Sequence, residues 1–154
     1  MKNENIKEII QSWAPDLEFT EDSLEYVTVV VPREHLRAFL CKLKDNEQTK
    51  LDYMFCLTGV DYPQYIEIIY HLESTTLGLV LVVKTRTEDR DENCVIDTVS
   101  DLYRTAELNE REVFDLLGVK FEGHPDLRRL FLTDDWVGYP LRKDYVDPVN
   151  IVNR

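Results

Sequence analysis

Tyr65 to Arg86 reads YIEIIYHLESTTLGLVLVVKTR: two runs rich in Ile, Val, Leu and Tyr around the polar stretch Glu73-Ser74-Thr75-Thr76. β-Branched and aromatic residues suit a pleated, half-buried surface. A four-residue connection between such runs is short enough for a hairpin, so the two strands run antiparallel. A third strand-like run, Tyr53 to Thr58, precedes them across Gly59-Val60-Asp61-Tyr62-Pro63.

Working outward, Leu24 to Val31 (LEYVTVVV) is a further strand and Pro32 follows it at a favourable first helical position. Leu36, Phe39, Leu40 and Leu43 then recur at the spacing of one buried helix face. Ile6, Ile9, Ile10 and Trp13 mark a shorter helix at the start, stopped by Pro15. After the acidic loop Thr87 to Asn93, the residues Val95, Val99, Leu102 and Tyr103 predict another helix. Strands dominate the middle and helices flank them. The expected fold is α+β: two layers, a mostly antiparallel sheet with helices on one face, and an irregular extended C-terminal segment. Residues 1–106 form the α+β core, and 107–154 a helix and partner-binding segment of the same domain.

Composition narrows the function classes. With 154 residues the chain makes one domain, and its formal net charge of −12 repels phosphate backbones and anionic headgroups. No nucleic-acid partner is expected. The N-terminus lacks the pattern of a signal peptide. The longest apolar run, Leu77 to Val83, is far short of the ~20 residues that cross a bilayer. Cys41, Cys56 and Cys94 are odd in number with no CxxC pair, which suits inert thiols in a reducing compartment. His35, His71 and His124 have no nucleophile context, and no phosphate- or dinucleotide-binding glycine motif is present.

The last third differs in character. Glu107 to Asp147 carries ten acids, six bases and three of the five glycines. Asn109 to Gly118 suggests a short helix with Asn109 and Glu112 as a capping box, Gly118 past its end, and Arg111 placed to pair with Asp115. Arg128 and Arg129 beside Leu127, Leu130, Phe131 and Leu132 suit carboxylate pairing, either with a partner or with Glu110, Glu112 or Asp115 of this domain. Trp136, Tyr139, Arg142 and Tyr145 have the composition of an interface hot spot, or of a strap folded over its own core. A metal centre for hydrolysis built from Glu110, Glu112, Asp115 and His124 is the competing chemistry. Residues two apart on a helix lie about 200° apart around its axis, which turns Glu110 and Glu112 away from each other.

The stretch EREVFDLLGVKFEGHPDLRRLFLTDDWVGYPLRKDY, residues 110–145, resembles the signature of the thirty-kilodalton subunit, also called the C subunit, of bacterial-type respiratory complex I. The match falls without a gap on Glu110, Arg111, Glu112, Asp115, Gly118, Gly123, His124, Pro125, Arg128, Arg129, Trp136, Pro140, Leu141, Arg142, Lys143, Asp144 and Tyr145. Leu108, Leu117 and Val146 stand where the family usually has an aromatic residue, Phe and Pro. The resemblance implies a structural subunit of the peripheral arm of a proton-translocating NADH:quinone oxidoreductase. It would lie on the cytoplasmic side of the membrane, packed against the large quinone-site subunit (the D subunit of that complex) and near the iron–sulfur subunits. It implies no catalytic residue and no cofactor in this chain, with FMN, iron–sulfur clusters and quinone held by its neighbours. The equivalent subunit of a membrane-bound hydrogenase, or of a dehydrogenase with another electron donor, is the alternative. Residues 146–154 are expected to be extended and ordered only on a partner.

Overall fold

The structure, a computed structural model, describes residues 2–20 and 25–147. Its elements in chain order are α1 (Lys2–Trp13), β1 (Glu18–Thr20), β2 (Val27–Val30), α2 (Arg33–Asp45), β3 (Tyr53–Asp61), β4 (Ile66–Glu73), β5 (Val80–Thr87), β6 (Val95–Asp97), α3 (Ala106–Leu117) and β7 (Lys120–Glu122). β3, β4 and β5 form an antiparallel meander. Its second hairpin is closed by Ser74 N–H on the Leu79 carbonyl and tied to Asp52 through the backbone and hydroxyl of Thr75.

The five-stranded sheet has the order β1-β2-β5-β4-β3, with only the β2–β5 contact parallel. A mostly antiparallel sheet with helices on one side is thus the observed α+β fold. Alternation along β4 and β5 sends Ile68, Tyr70, Leu72, Leu81 and Val83 into the core. The stripe of α2 meets them, with Leu36, Leu40 and Leu43 fully buried, each worth roughly 1.5–3 kcal/mol of burial. Ile6 and Ile10 of α1 complete this layer, and Trp13 packs on Phe39. α3 lies over β3, where Gly59 admits the Leu117 side chain; a Cβ there would come within 2.5 Å of it.

Several local expectations need correction. Val95–Asp97 form a strand, paired in parallel with Lys120–Glu122, and no helix spans Val95 to Tyr103. Of the predicted stripe, Val99 and Tyr103 are buried and Leu102 packs against the core, but in the strand Ile96 faces inward and Val95 does not; the Tyr103 hydroxyl donates to the Leu51 carbonyl. Thr98 draws the Ser100 N–H to its own hydroxyl, a local bond that competes with a helix ladder. α3 begins at Ala106, with Thr105 before it, so Asn109 is interior and its N–H reaches the Thr105 carbonyl. Burying Ala106 favours that earlier start, and no Asn109–Glu112 capping box forms. Arg111 does not pair with Asp115; both turn to the chain beyond β7. Pro32 stands one place before α2 in extended geometry (φ −55°, ψ 140°), and is not its first residue. β1 has no sequence signal of its own, and of the run Leu24–Val31 the strand β2 takes Val27–Val30, Leu24 lying outside the described residues. Residues 148–154, most of the expected extended tail, lie outside the described residues.

Candidate partner interface

Beyond β7 the chain from Gly123 to Asp147 has no helix or strand and runs as a strap back along α3. α3 ends at Gly118 in the left-handed conformation, φ +74°. A Cβ there would meet the Tyr139 ring at 2.5 Å and Arg142 Nη2 at 2.7 Å, so glycine is needed for the conformation and for the approach.

Polar side chains of α3 set the strap's path. Asp115 is fully buried; its Oδ2 accepts the N–H groups of Leu130, Phe131 and Leu132 at 3.1, 2.7 and 3.1 Å. Its Oδ1 takes Arg129 Nη1 at 3.0 Å. Burial alone pushes this carboxyl's pKa up. The bonds from Phe131, Leu132, Arg129 and Leu130 outweigh that and hold it below the ordinary carboxylate range. Arg129 also donates to the carbonyls of Asp115, Trp136 and Gly138. Arg111, one place along the helix from Glu110, donates to the carbonyls of Arg128 and Arg129.

The end of the strap is held in the same way. Arg142 donates from Nε to the Leu117 carbonyl and from Nη1 to the Arg90 carbonyl. Tyr139 is touched by both guanidinium groups, Arg129 at 5.1 Å and Arg142 at 4.9 Å, and meets Phe114 edge-on. The Leu141 N–H reaches the Leu116 carbonyl. Asp61, at the end of β3, accepts the Lys143 N–H on one oxygen and Arg90 on the other. Burial opposes ionisation of Asp61, but the Arg90 and Lys143 bonds keep its pKa low.

The candidate site residues thus divide. Arg111, Asp115, Gly118, Arg129 and Arg142 hold the strap together, and of the two adjacent arginines Arg129 takes the internal carboxylate. Arg128 pairs with Asp126 through both carboxylate oxygens, and its side chain is 68% exposed. Glu112, Lys143 and Asp144 are exposed, while Pro140 and Tyr145 are half-buried. Glu110 and His124 come together in a separate buried cluster, with His124 Nε2 3.8 Å from Glu110 Oε2. Gly123 and Pro125 frame His124 beside it. Glu110, Glu112 and Asp115 point three different ways, and among the described residues no group of three or more His, Cys, Asp or Glu is placed to hold a metal ion. Asp61 and Arg90 join the site without any sequence signal; they lie 82 and 52 residues from their strap partners, beyond the reach of any local pattern.

Beside exposed charges such as Asp126, Arg128, Asp134, Asp135, Lys143 and Asp144, the strap leaves large apolar side chains in solvent: Phe131 is 65% exposed, Val137 87%, Leu141 59%, Val146 67% and Trp136 39%. No helix among the described residues is long and apolar enough to cross a membrane.

Residues 29–149 match the family described as respiratory-chain NADH dehydrogenase, 30 Kd subunit. The chain belongs to this family. It is 39% identical over 144 residues to the NADH-quinone oxidoreductase C subunit of Moorella thermoacetica, covering 92% of this chain and 94% of that one. It is 46% identical over 123 residues to the fused C/D subunit of the same enzyme in Phocaeicola vulgatus, covering 79% of this chain but 23% of that longer protein. The chain thus spans under a quarter of the fused relatives it matches. A chain of an archaeal membrane-bound sulfane sulfur reductase, a respiratory membrane complex, superposes with a TM-score of 0.76 at 34% identity. That match covers 97% of this chain and 88% of the other. The family match takes in the strap together with β3, β4 and β5 of the sheet, and leaves out β1.

Proposed function

We propose that this chain is a structural, cofactor-free subunit of the peripheral arm of an NADH:quinone oxidoreductase. It grips the quinone-site subunit with its strap, and residues 107–154 are its partner-binding part. The chemistry belongs to its neighbours: FMN, iron–sulfur clusters and quinone are bound there, and this chain fixes their relative position on the cytoplasmic side of the membrane. The observation that carries the reading is the division of labour in the strap. Arg111, Asp115, Arg129 and Arg142 are spent on the chain's own backbone, so the strap is shaped before any partner arrives. Phe131, Val137, Leu141 and Val146 stay in solvent. A preorganised backbone presenting apolar anchors lowers the ordering cost of binding. Arg128, Glu112, Lys143 and Asp144, all exposed, supply the polar rim of the interface in this reading.

The test replaces Phe131, Val137 and Leu141 by Ser together. Loss of co-purifying subunits from solubilised membranes and loss of quinone reduction are expected, with the unfolding midpoint of the full chain unchanged. Wild-type assembly of the triple variant would refute the reading.

A second reading has specific support in the resemblance to the sulfane sulfur reductase chain over nearly the whole length. In it the chain holds the same place in a membrane-bound complex with another donor or acceptor. Mass spectrometry of the purified complex separates the two: an NADH-binding flavoprotein subunit among the partners favours the first, and its absence the second.

A further inference from the structure

Glu110 is fully buried on the inner side of α3, away from the strap's anchors. Its contacts are neutral. Oε1 accepts the Val99 N–H at 2.8 Å and Oε2 accepts the Thr98 hydroxyl at 2.5 Å. A buried carboxylate without a cation against it is costly in its charged form. The groups facing it do not remove that cost. His124 accepts the Asp126 N–H at Nδ1, so its ring hydrogen sits on Nε2 and points to the Glu107 carbonyl at 2.9 Å, an arrangement of the uncharged ring. Asp101 of the turn and Arg37 of α2 act in opposite directions and are locked to each other by two bonds of 2.6 and 2.8 Å. Tyr70 of β4 is buried, with its hydroxyl lacking a partner among the described residues.

A path leads outward. Thr98 Oγ1 is also 2.9 Å from Ser100 Oγ. Thr98 and Ser100 line an open cleft of about 570 Å³ with Arg37, Asp97, Asp101 and Glu122. We propose that Glu110 is a proton-binding site, loaded from this cleft through the hydroxyls of Ser100 and Thr98. In the loading step a solvent proton adds to Ser100 Oγ as the Ser100 hydrogen passes to Thr98 Oγ1 and the Thr98 hydrogen to Glu110 Oε2. Each hydroxyl ends with one hydrogen, the carboxylate becomes a carboxylic acid, and rotation of the two hydroxyls resets the chain. The loaded acid donates to Thr98 Oγ1, which is then free to donate to Ser100. No step involves the strap's anchors, so this site stands independently of the proposed function.

Burial is the main cause that raises the Glu110 pKa, against the lowering by Thr98 and Val99, and brings it to about 7 from an ordinary 4.5. A folded value above the unfolded one gives a contribution fully present below about 4.5 and lost as pH rises through about 7.

The test is a carboxyl-carbon NMR titration of the full chain carrying labelled glutamate, from acid to alkaline pH. One resonance should titrate close to pH 7, well above the ordinary 4.5, and vanish in Glu110→Gln. Thr98→Val removes a bond that favours the ionised form, so it should move that midpoint upward, which assigns the resonance even where Glu110→Gln does not fold. Ser100→Ala should leave the midpoint in place but slow proton exchange at it by about tenfold or more, the scale of a positioned transfer group. A Glu110 midpoint in the ordinary glutamate range would overturn the site. An unchanged exchange rate in Ser100→Ala would overturn the loading path.

Discussion

Asp115→Asn is the sharpest probe of the claim that the strap is built by the chain's own charges. The substitution keeps the shape and one acceptor oxygen. It removes the charge and turns an NH2 group toward donors, either the N–H row of residues 130–132 or Arg129. Hydrogen bonds to a charged group contribute about 1.5–3 kcal/mol each, and removing one partner of a buried ion pair costs about 3–5 kcal/mol. Arg129 keeps carbonyl partners at Asp115, Trp136 and Gly138, so its own loss is cushioned. The low end, about 3 kcal/mol, is the expected destabilisation. In urea, with a slope of about 2 kcal/mol per molar, the midpoint of the full chain should fall by about 1.5 M. The pH dependence runs opposite to that of Glu110. The Asp115 pKa is depressed in the fold, so its contribution is present above the unfolded value of about 3.8 and lost as pH falls through the lower folded one. The gap between wild type and variant should therefore narrow below that pH. A midpoint shift corresponding to under about 1 kcal/mol, or a gap that stays constant into acid, would mean that the Asp115 bonds do not order the strap.

Two further outcomes follow from the packing. Gly118→Ala forces a side chain into a left-handed position costing roughly 1–2 kcal/mol before the clash with Tyr139 is counted. Limited trypsin digestion should cut faster at Arg142 and Lys143 than in wild type, and equal rates would count against the packed strap. Leu40→Ala, in the fully buried stripe of α2, should cost about 2–5 kcal/mol by thermal or urea unfolding while leaving subunit co-purification intact under mild conditions.

The contrast between α2 and the segment after Asn93 explains how much of the fold is legible in the sequence. Leu36, Phe39, Leu40 and Leu43 sit in a helix whose spacing and burial agree. Val95, Val99, Leu102 and Tyr103 have helix-compatible spacing too, yet Val99, Leu102 and Tyr103 reach the core from turns, and in the strand it is Ile96, not Val95, that is buried. Hydrophobic periodicity reports which residues face a core, and a short stretch leaves the backbone path to be set by its neighbours. Here those neighbours are Lys120–Glu122, which pair with Val95–Asp97, and Glu110, which holds the Val99 N–H.

Within the site, local chemistry took the sequence as far as Gly118 ending its helix, one of Arg128 and Arg129 being able to meet a carboxylate of α3, and the signature spanning residues 110–145; that the pair is Arg129 with Asp115 came from the fold. The strand meander, the buried face of α2 and the family were likewise determined by the sequence alone, because each rests on residues close together or on a long ungapped pattern. Which charges face solvent and which close on the chain itself was decided only in three dimensions. Asp61 reaches Lys143, Arg142 reaches Arg90, and Thr98 reaches Glu110 across separations that no periodicity encodes. A carboxylate looks the same in sequence whether water, a backbone N–H row or a hydroxyl surrounds it. Folding alone sets those surroundings, and they make Asp115 a fixed anion and Glu110 a group that binds a proton near neutrality.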